Sequence, residues 1–179
     1  MKITVGGMLG SGKSTIAEIV AKKLKLKFYS IGNIMRELAT KRKLSINEYI
    51  SLKEDVDSEI DNYQKNLGLK EDNFIVDGRL AFHFIPDSIK IFFDVNPEVG
   101  AERIFKNQRG SEKKYKNVNE ALKSINSRIE EDKKRYKKLY NIDAYDKNNF
   151  DYVIDTTNLD IDAIAEKVIK IINDEKGYK

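Results

Sequence analysis

The chain has 179 residues, 40% hydrophobic and 35% charged, which suits one compact domain with a real core and excludes disorder of the whole. It has no cysteine and a single histidine, His83, so a disulfide framework, a thiolate metal centre and a multi-histidine zinc site are all ruled out. A net charge of +4, with acids and bases interspersed, permits an anionic ligand without calling for nucleic acid, and no apolar run approaches the roughly 18 residues a bilayer span needs.

Residues 2–6 read as a short buried strand, followed by a glycine-rich turn and an amphipathic helix from about Gly12 to Leu24. Leu26 to Ser30 reads as an edge strand, and Ile34, Leu38 and their neighbours as a helix ending near Lys43. Ser45 and Glu48 have capping-box spacing, which predicts a further helix running toward Asn66. Phe74–Asp77 and Ile89–Val95 are apolar and rich in β-branched or aromatic residues, as central parallel strands covered on both faces require. Asn96 as a cap and Pro97 in the first turn mark a helix to about Gln108.

Residues 109–117 have no apolar period and read as a lid-like loop with the basic residues Arg109, Lys113, Lys114 and Lys116. Asn117 and Glu120 open a long helix to about Leu139, on which Arg128, Asp132 and Arg135 fall at i, i+4 and i+7, on a face away from Leu122, Ile125 and Ile129. That spacing fits either a surface ion pair or arginines that close over a transferring group. Tyr152–Asp155 is the last strand, and Ile161, Ile164, Val168 and Ile171 mark the closing helix, with Lys170 to Lys179 expected to fray. Alternating strands and helices predict a three-layer α/β/α sandwich on a central parallel five-stranded sheet, a single domain over 1–179. Ligands in such a fold lie beyond the carboxyl ends of the strands.

Gly7, Met8, Leu9, Gly10, Ser11, Gly12, Lys13 and Ser14 fit the phosphate-loop pattern, glycine, four residues, Gly-Lys-Ser, directly after a strand and opening a helix. The glycines let successive N–H groups turn inward, and the helix adds its positive end, forming a cradle for a triphosphate. Lys13 would reach the terminal phosphates and the Ser14 hydroxyl would hold Mg²⁺. A second, carboxylate anchor is expected at the end of a neighbouring strand, where Asp77 and Asp94 compete. Asp77 is preferred because Gly78 and Arg79 follow it. Arg36 and Arg79 both follow strands and suit an acceptor phosphate, which planar guanidinium groups grip with paired hydrogen bonds.

The phosphate loop, Ile31-Gly32-Asn33-Ile34-Met35-Arg36-Glu37, Asp77-Gly78-Arg79-Leu80-Ala81 and the Arg128, Asp132, Arg135 series together resemble the cytidylate kinases, in the short archaeal-type branch of the phosphate-loop nucleoside monophosphate kinases. The tail from Arg135 to Asp143, followed by Tyr152 to Thr156, is similar as well, so the likeness spans nearly the whole chain. With no apolar run of spanning length and an amino terminus that enters a strand, a cytoplasmic protein without a membrane partner is expected; the resemblance implies a monomer that transfers the γ-phosphoryl group of ATP to CMP or dCMP, with Mg²⁺ and with no nucleic-acid partner. It implies ATP bound by Gly7 to Thr15, an acceptor held by Arg36, Arg79 and Asp132, and Arg128 and Arg135 spanning donor and acceptor with Lys13. Arg103 would pack on the adenine. It further implies an acceptor lobe over about 30–67 and a lid over about 109–117.

Asn33 stands where the family commonly has Asp, and Asn141 where it commonly has Gly. Two other readings are an adenylate kinase or another small-metabolite kinase, and a nucleotide-gated RNA-binding protein suggested by Tyr115, Tyr136 and Tyr140 among lysines.

Overall fold

The computed structural model describes residues 1–52, 54–108 and 114–177. Five strands, β1 (Lys2–Gly7), β2 (Lys27–Ser30), β3 (Phe74–Asp77), β4 (Ile89–Asp94) and β5 (Tyr152–Asp155), form one parallel sheet in the order β2-β3-β1-β4-β5. The helices are α1 (Lys13–Leu24), α2 (Ile31–Lys41), α3 (Ile46–Ser51), α4 (Glu54–Lys70), α5 (Ala81–Phe84), α6 (Pro97–Lys106), α7 (Val118–Tyr140) and α8 (Ile161–Gly177).

Successive strand residues point to opposite faces, and the sequence uses that alternation. Ile3, Val5, Ile75, Ile91, Phe93 and Ile154 pack on one side against Ile16 and Val20 of α1 and Ile164, Val168 and Ile172 of α8. Phe74 and Val76 face the other side, against Tyr49, Val56 and Ile60. Phe92 faces that side too, with Phe82 and Phe150. Thr4 is the one interior polar residue of β1, and its hydroxyl is paired with Ser88 Oγ at 2.9 Å, so its burial leaves no polar group unsatisfied.

The three-layer sandwich is as expected, and β2 is the edge strand the pattern predicted. Four local expectations need correction. The segment expected as one helix from Ser45 is two, α3 and α4, although the Ser45–Glu48 capping box is formed. The helix carrying Ile34 and Leu38 starts at Ile31, where the Ser30 hydroxyl accepts from the Asn33 N–H, and ends at Lys41 rather than near Lys43. The short helix α5 was not anticipated. The carboxyl tail does not fray from Lys170: α8 continues to Gly177 because Ile172 is fully buried against the sheet.

Candidate active site

β1 is flanked by β3 and β4, so the loop leaving it opens between two buried strands at their carboxyl ends. The loop is fixed by close backbone approaches. Gly10 has φ +82°, and a Cβ placed there would lie 2.3 Å from the Gly100 carbonyl oxygen in α6. A Cβ on Gly100 would in turn meet the Leu9 carbonyl oxygen at 2.8 Å. Gly100, absent from the sequence reading, therefore seats the loop; the signal available was a glycine in a helix interior, where it costs about 1 kcal/mol against alanine. Gly10→Ala is expected to cost about 3 kcal/mol, from a strained left-handed backbone plus overpacking. A chemical-denaturation midpoint equal to that of the wild type would show that the two backbones do not meet.

Gly12, at φ +80°, caps α1 without a side-chain hydrogen bond, whereas α2, α3, α6 and α7 are capped by Ser30, Ser45, Asn96 and Asn117. No side chain therefore caps the first turn of α1, the arrangement an anion-binding helix start uses. Lys13 and Ser14 follow in that turn, both half-buried.

The Ser14 hydroxyl donates to Asp77, which is buried at the end of β3. The two residues are brought together by the β1–β3 register, in which Val5 pairs with Asp77. The rival carboxylate, Asp94, is engaged elsewhere: Lys147 Nζ lies 2.5 Å from it, and it accepts from the Val95 N–H. Ser14 and Asp77 offer two hard oxygens, which fits Mg²⁺, an ion that usually takes one or two protein ligands and fills its octahedron with water and phosphate. Among the described residues no group of three or more His, Cys, Asp or Glu gathers to form a denser metal cage.

Arg79 lies two residues beyond Asp77. Its Nε is 3.0 Å from Asp132 Oδ2 on α7, and the Tyr145 hydroxyl donates to the same oxygen at 2.7 Å. Burial opposes the Arg79 charge, but the Asp132 carboxylate, with Tyr136 and Tyr145 beside it, outweighs this and holds the pKa above the ordinary guanidinium value. Asp132 is buried on the same stripe as Ile125 and Ile129, so the expectation that the face it shares with Arg128 and Arg135 lies away from those isoleucines is corrected. A carboxylate is tolerated on that apolar stripe because Arg79 meets it there.

Arg135 is half-buried and donates through both Nε and Nη2 to Asp57 of α4; burial opposes its charge, and Asp57 more than restores it. Arg128 is exposed on α7, one turn before Asp132. Arg36 lies over Gly32 in the first turn of α2 and donates to Asn33 Oδ1 at 2.5 Å. The preceding residue of the strand end, Ser30, is the register partner of Asp77. Asn33 thus orients Arg36, a role an aspartate would also perform. Asn141 caps α7 at φ 58°, a conformation asparagine tolerates better than most residues, so the exchange for glycine keeps the turn.

Arg103 is bound to the segment after β5, donating to the Thr156 carbonyl at 2.8 Å, Thr156 Oγ1 at 3.2 Å and the Thr157 carbonyl at 3.2 Å. Of the lid segment, Arg109 and Lys113 lie outside the described residues. At its described ends, the Gln108 carboxamide accepts from the Tyr115 N–H at 2.7 Å and donates to the Tyr115 carbonyl at 3.2 Å, clasping the base of the segment. Tyr136 and Tyr140 pack, partly buried, against the cluster that holds Phe84 and Phe92, and Tyr115 packs, partly buried, against that of Ile125 and Ile129. Among the described residues no helix is long and apolar enough to cross a membrane.

Residues 2–158 match the model of the cytidylate kinase-like family. A cytidylate kinase of Archaeoglobus fulgidus is 34% identical over 180 residues, which cover 98% of this chain and 97% of that one. An S-adenosylmethionine-dependent nucleotide dehydratase of Lacinutrix mariniflava is 31% identical over 94% of this chain, but the match covers 35% of that longer protein. Among solved structures, a shikimate kinase from Bacteroides thetaiotaomicron superposes with a TM-score of 0.69 at 18% identity, covering 97% of this chain and 98% of that one; this is likeness of fold.

Proposed function

We propose that this chain, which belongs to the cytidylate kinase-like family, transfers the γ-phosphoryl group of ATP to CMP or dCMP, giving ADP and the nucleoside diphosphate. The observation that carries the reading is the continuity of donor and acceptor sides: the carboxylate that touches Ser14 of the phosphate loop is two residues from Arg79.

In this reading the triphosphate lies along the backbone of Gly7 to Ser14, with Thr15 behind it in the first turn of α1, and Lys13 neutralises its terminal charge. Arg103 frames the adenine side from α6. Ser14 and Asp77 hold Mg²⁺, which when bound offsets negative charge on the phosphates. Arg36 and Arg79 grip the acceptor phosphate, with Asp132 fixing the Arg79 fork. Arg128 and Arg135 reach from α7 toward the oxygens that carry charge in the transition state. Since phosphoryl transfer needs little covalent help, alignment, charge neutralisation and exclusion of water by the 109–117 lid suffice. The acceptor lobe is the 30–67 segment.

Two carboxylates now occupy the arginines, Asp132 on Arg79 and Asp57 on Arg135. Phosphate oxygens compete for the same guanidinium donors, so the acceptor phosphate shares Arg79 with Asp132, and the transferring group draws Arg135 from Asp57 and so rearranges the α4–α7 contact.

Supplying Mg·ATP with CMP, dCMP, UMP, AMP and GMP in separate coupled assays of ADP release tests the reading. CMP or dCMP is expected to give a kcat/KM at least about tenfold above AMP and GMP, the scale on which base-edge contacts discriminate. A ranking led by AMP would convert the assignment to an adenylate kinase, and ADP release independent of any acceptor would remove the kinase reading.

A further inference from the structure

Helix α4 turns Asp57, Asp61 and Gln64 toward the interior at i, i+4 and i+7. Two of the three are satisfied by α7: Asp57 takes the Arg135 guanidinium, and Asp61 accepts from the Tyr140 hydroxyl at 2.8 Å. The third is not. Gln64 is 3% exposed, its Nε2 rests on the Ile60 carbonyl of its own helix at 3.4 Å, and its Oε1 is, among the described residues, the buried side-chain oxygen without a hydrogen-bond partner. Buried polar atoms are paired in the great majority of cases, so an orphan in a binding lobe points to a missing donor.

Its position says what kind of donor. A Cβ built on Gly78 would lie 3.3 Å from Gln64 Oε1, 3.3 Å from Ala81 Cβ and 2.7 Å from the Ile31 side chain. Gly78 stands between Asp77 and Arg79, so the oxygen lies over backbone beside the guanidinium assigned to the acceptor phosphate, closed in by the Ile31 and Ala81 side chains. We infer that Gln64 reads the base of the acceptor nucleotide, its Oε1 accepting a hydrogen bond from an exocyclic amino group; this rests on the phosphoryl-transfer reading above. The Ile31 side chain, at the first turn of α2, covers this spot and is displaced when the base enters.

The chemistry selects between pyrimidines. With Nε2 toward the Ile60 carbonyl at 3.4 Å, the carboxamide turns its buried oxygen toward Gly78, which asks for a donor. Cytosine presents an amino group where uracil presents a carbonyl oxygen, so uracil would set two acceptors against each other and leave Oε1 unpaired.

The test is kcat/KM for CMP and for UMP, with thermal midpoints, in wild type, Gln64→Met and Gln64→Glu. Methionine keeps the length and fills the volume without a polar end, so Gln64→Met should fold with an undiminished midpoint. It is expected to lose about tenfold or more on CMP while UMP stays within about twofold, collapsing the preference. Gln64→Glu keeps an acceptor oxygen and should retain a CMP preference. A Gln64→Met enzyme with the wild-type CMP-to-UMP ratio, an equal loss on both nucleotides, or a wild type indifferent between them overturns the inference while leaving the kinase reading intact. A wild type that turns over neither nucleotide overturns the transfer reading itself.

Discussion

Lys13→Ala is expected to lower kcat for acceptor-dependent ADP release by about a thousandfold, the loss seen when a preorganised charge partner of a transition state is removed, while shifting the thermal midpoint by no more than about 2 °C. The two halves of the expectation have separate causes. Lys13 opens α1, whose buried residues are Ile16, Ala17, Val20 and Ala21, so truncating the lysine takes nothing from the core. The loop itself is held by backbone contacts with Phe93 and Gly100 and by the Ser11 hydroxyl on the Met8 carbonyl, none of which uses the lysine. What disappears is the cation proposed to face the terminal phosphates. Turnover near the wild-type rate in a folded Lys13→Ala protein would refute the assignment of the loop.

Arg79→Ala is expected to be costly twice over. It removes the proposed grip on the acceptor phosphate, raising the acceptor KM or lowering kcat about a hundredfold, with the ATP KM changed far less. It also strips Asp132 of its ion pair. The two side chains are 25% and 10% exposed, so the pair is mostly shielded, and abandoning a shielded carboxylate costs about 3 kcal/mol. Pairing the change with Asp132→Asn separates the effects: the double variant should regain much of the lost stability, read by denaturation, without regaining acceptor affinity. Equal losses toward ATP and acceptor, or an acceptor KM restored in the double variant, would show that Arg79 is a structural ion-pair partner only.

The parts of the fold legible in the sequence are those where local pattern and final environment agree. The strand, glycine loop and helix at the amino terminus are contiguous, and their spacing alone placed Ser14 at the start of α1. Preferring Asp77 to Asp94 depended on its neighbours Gly78 and Arg79, and the Ser14–Asp77 contact agrees with it. Asp132 shows the opposite case. A charged residue on a helix is ordinarily assigned to the solvated face, yet its burial depends on Arg79, which is 53 residues earlier in the chain. The break between α3 and α4 carries no Gly or Pro to announce it. Gln64 was equally hidden, because a glutamine in a polar helix gives no sign that its oxygen will be sealed in unpaired.

The reciprocal close approach of Gly10 and Gly100 ties two stretches of sequence that mutate independently. Gly100 belongs to no signature, and a survey of variants scored by motif membership would pass Gly100→Ala as a benign, even helix-favouring exchange. The added methyl would press on the Leu9 carbonyl from below. The side chain that position 100 can carry is thereby constrained by a loop ninety residues upstream, and a loss of nucleotide affinity mapped to the middle of α6 would have its origin in that close approach of two backbones.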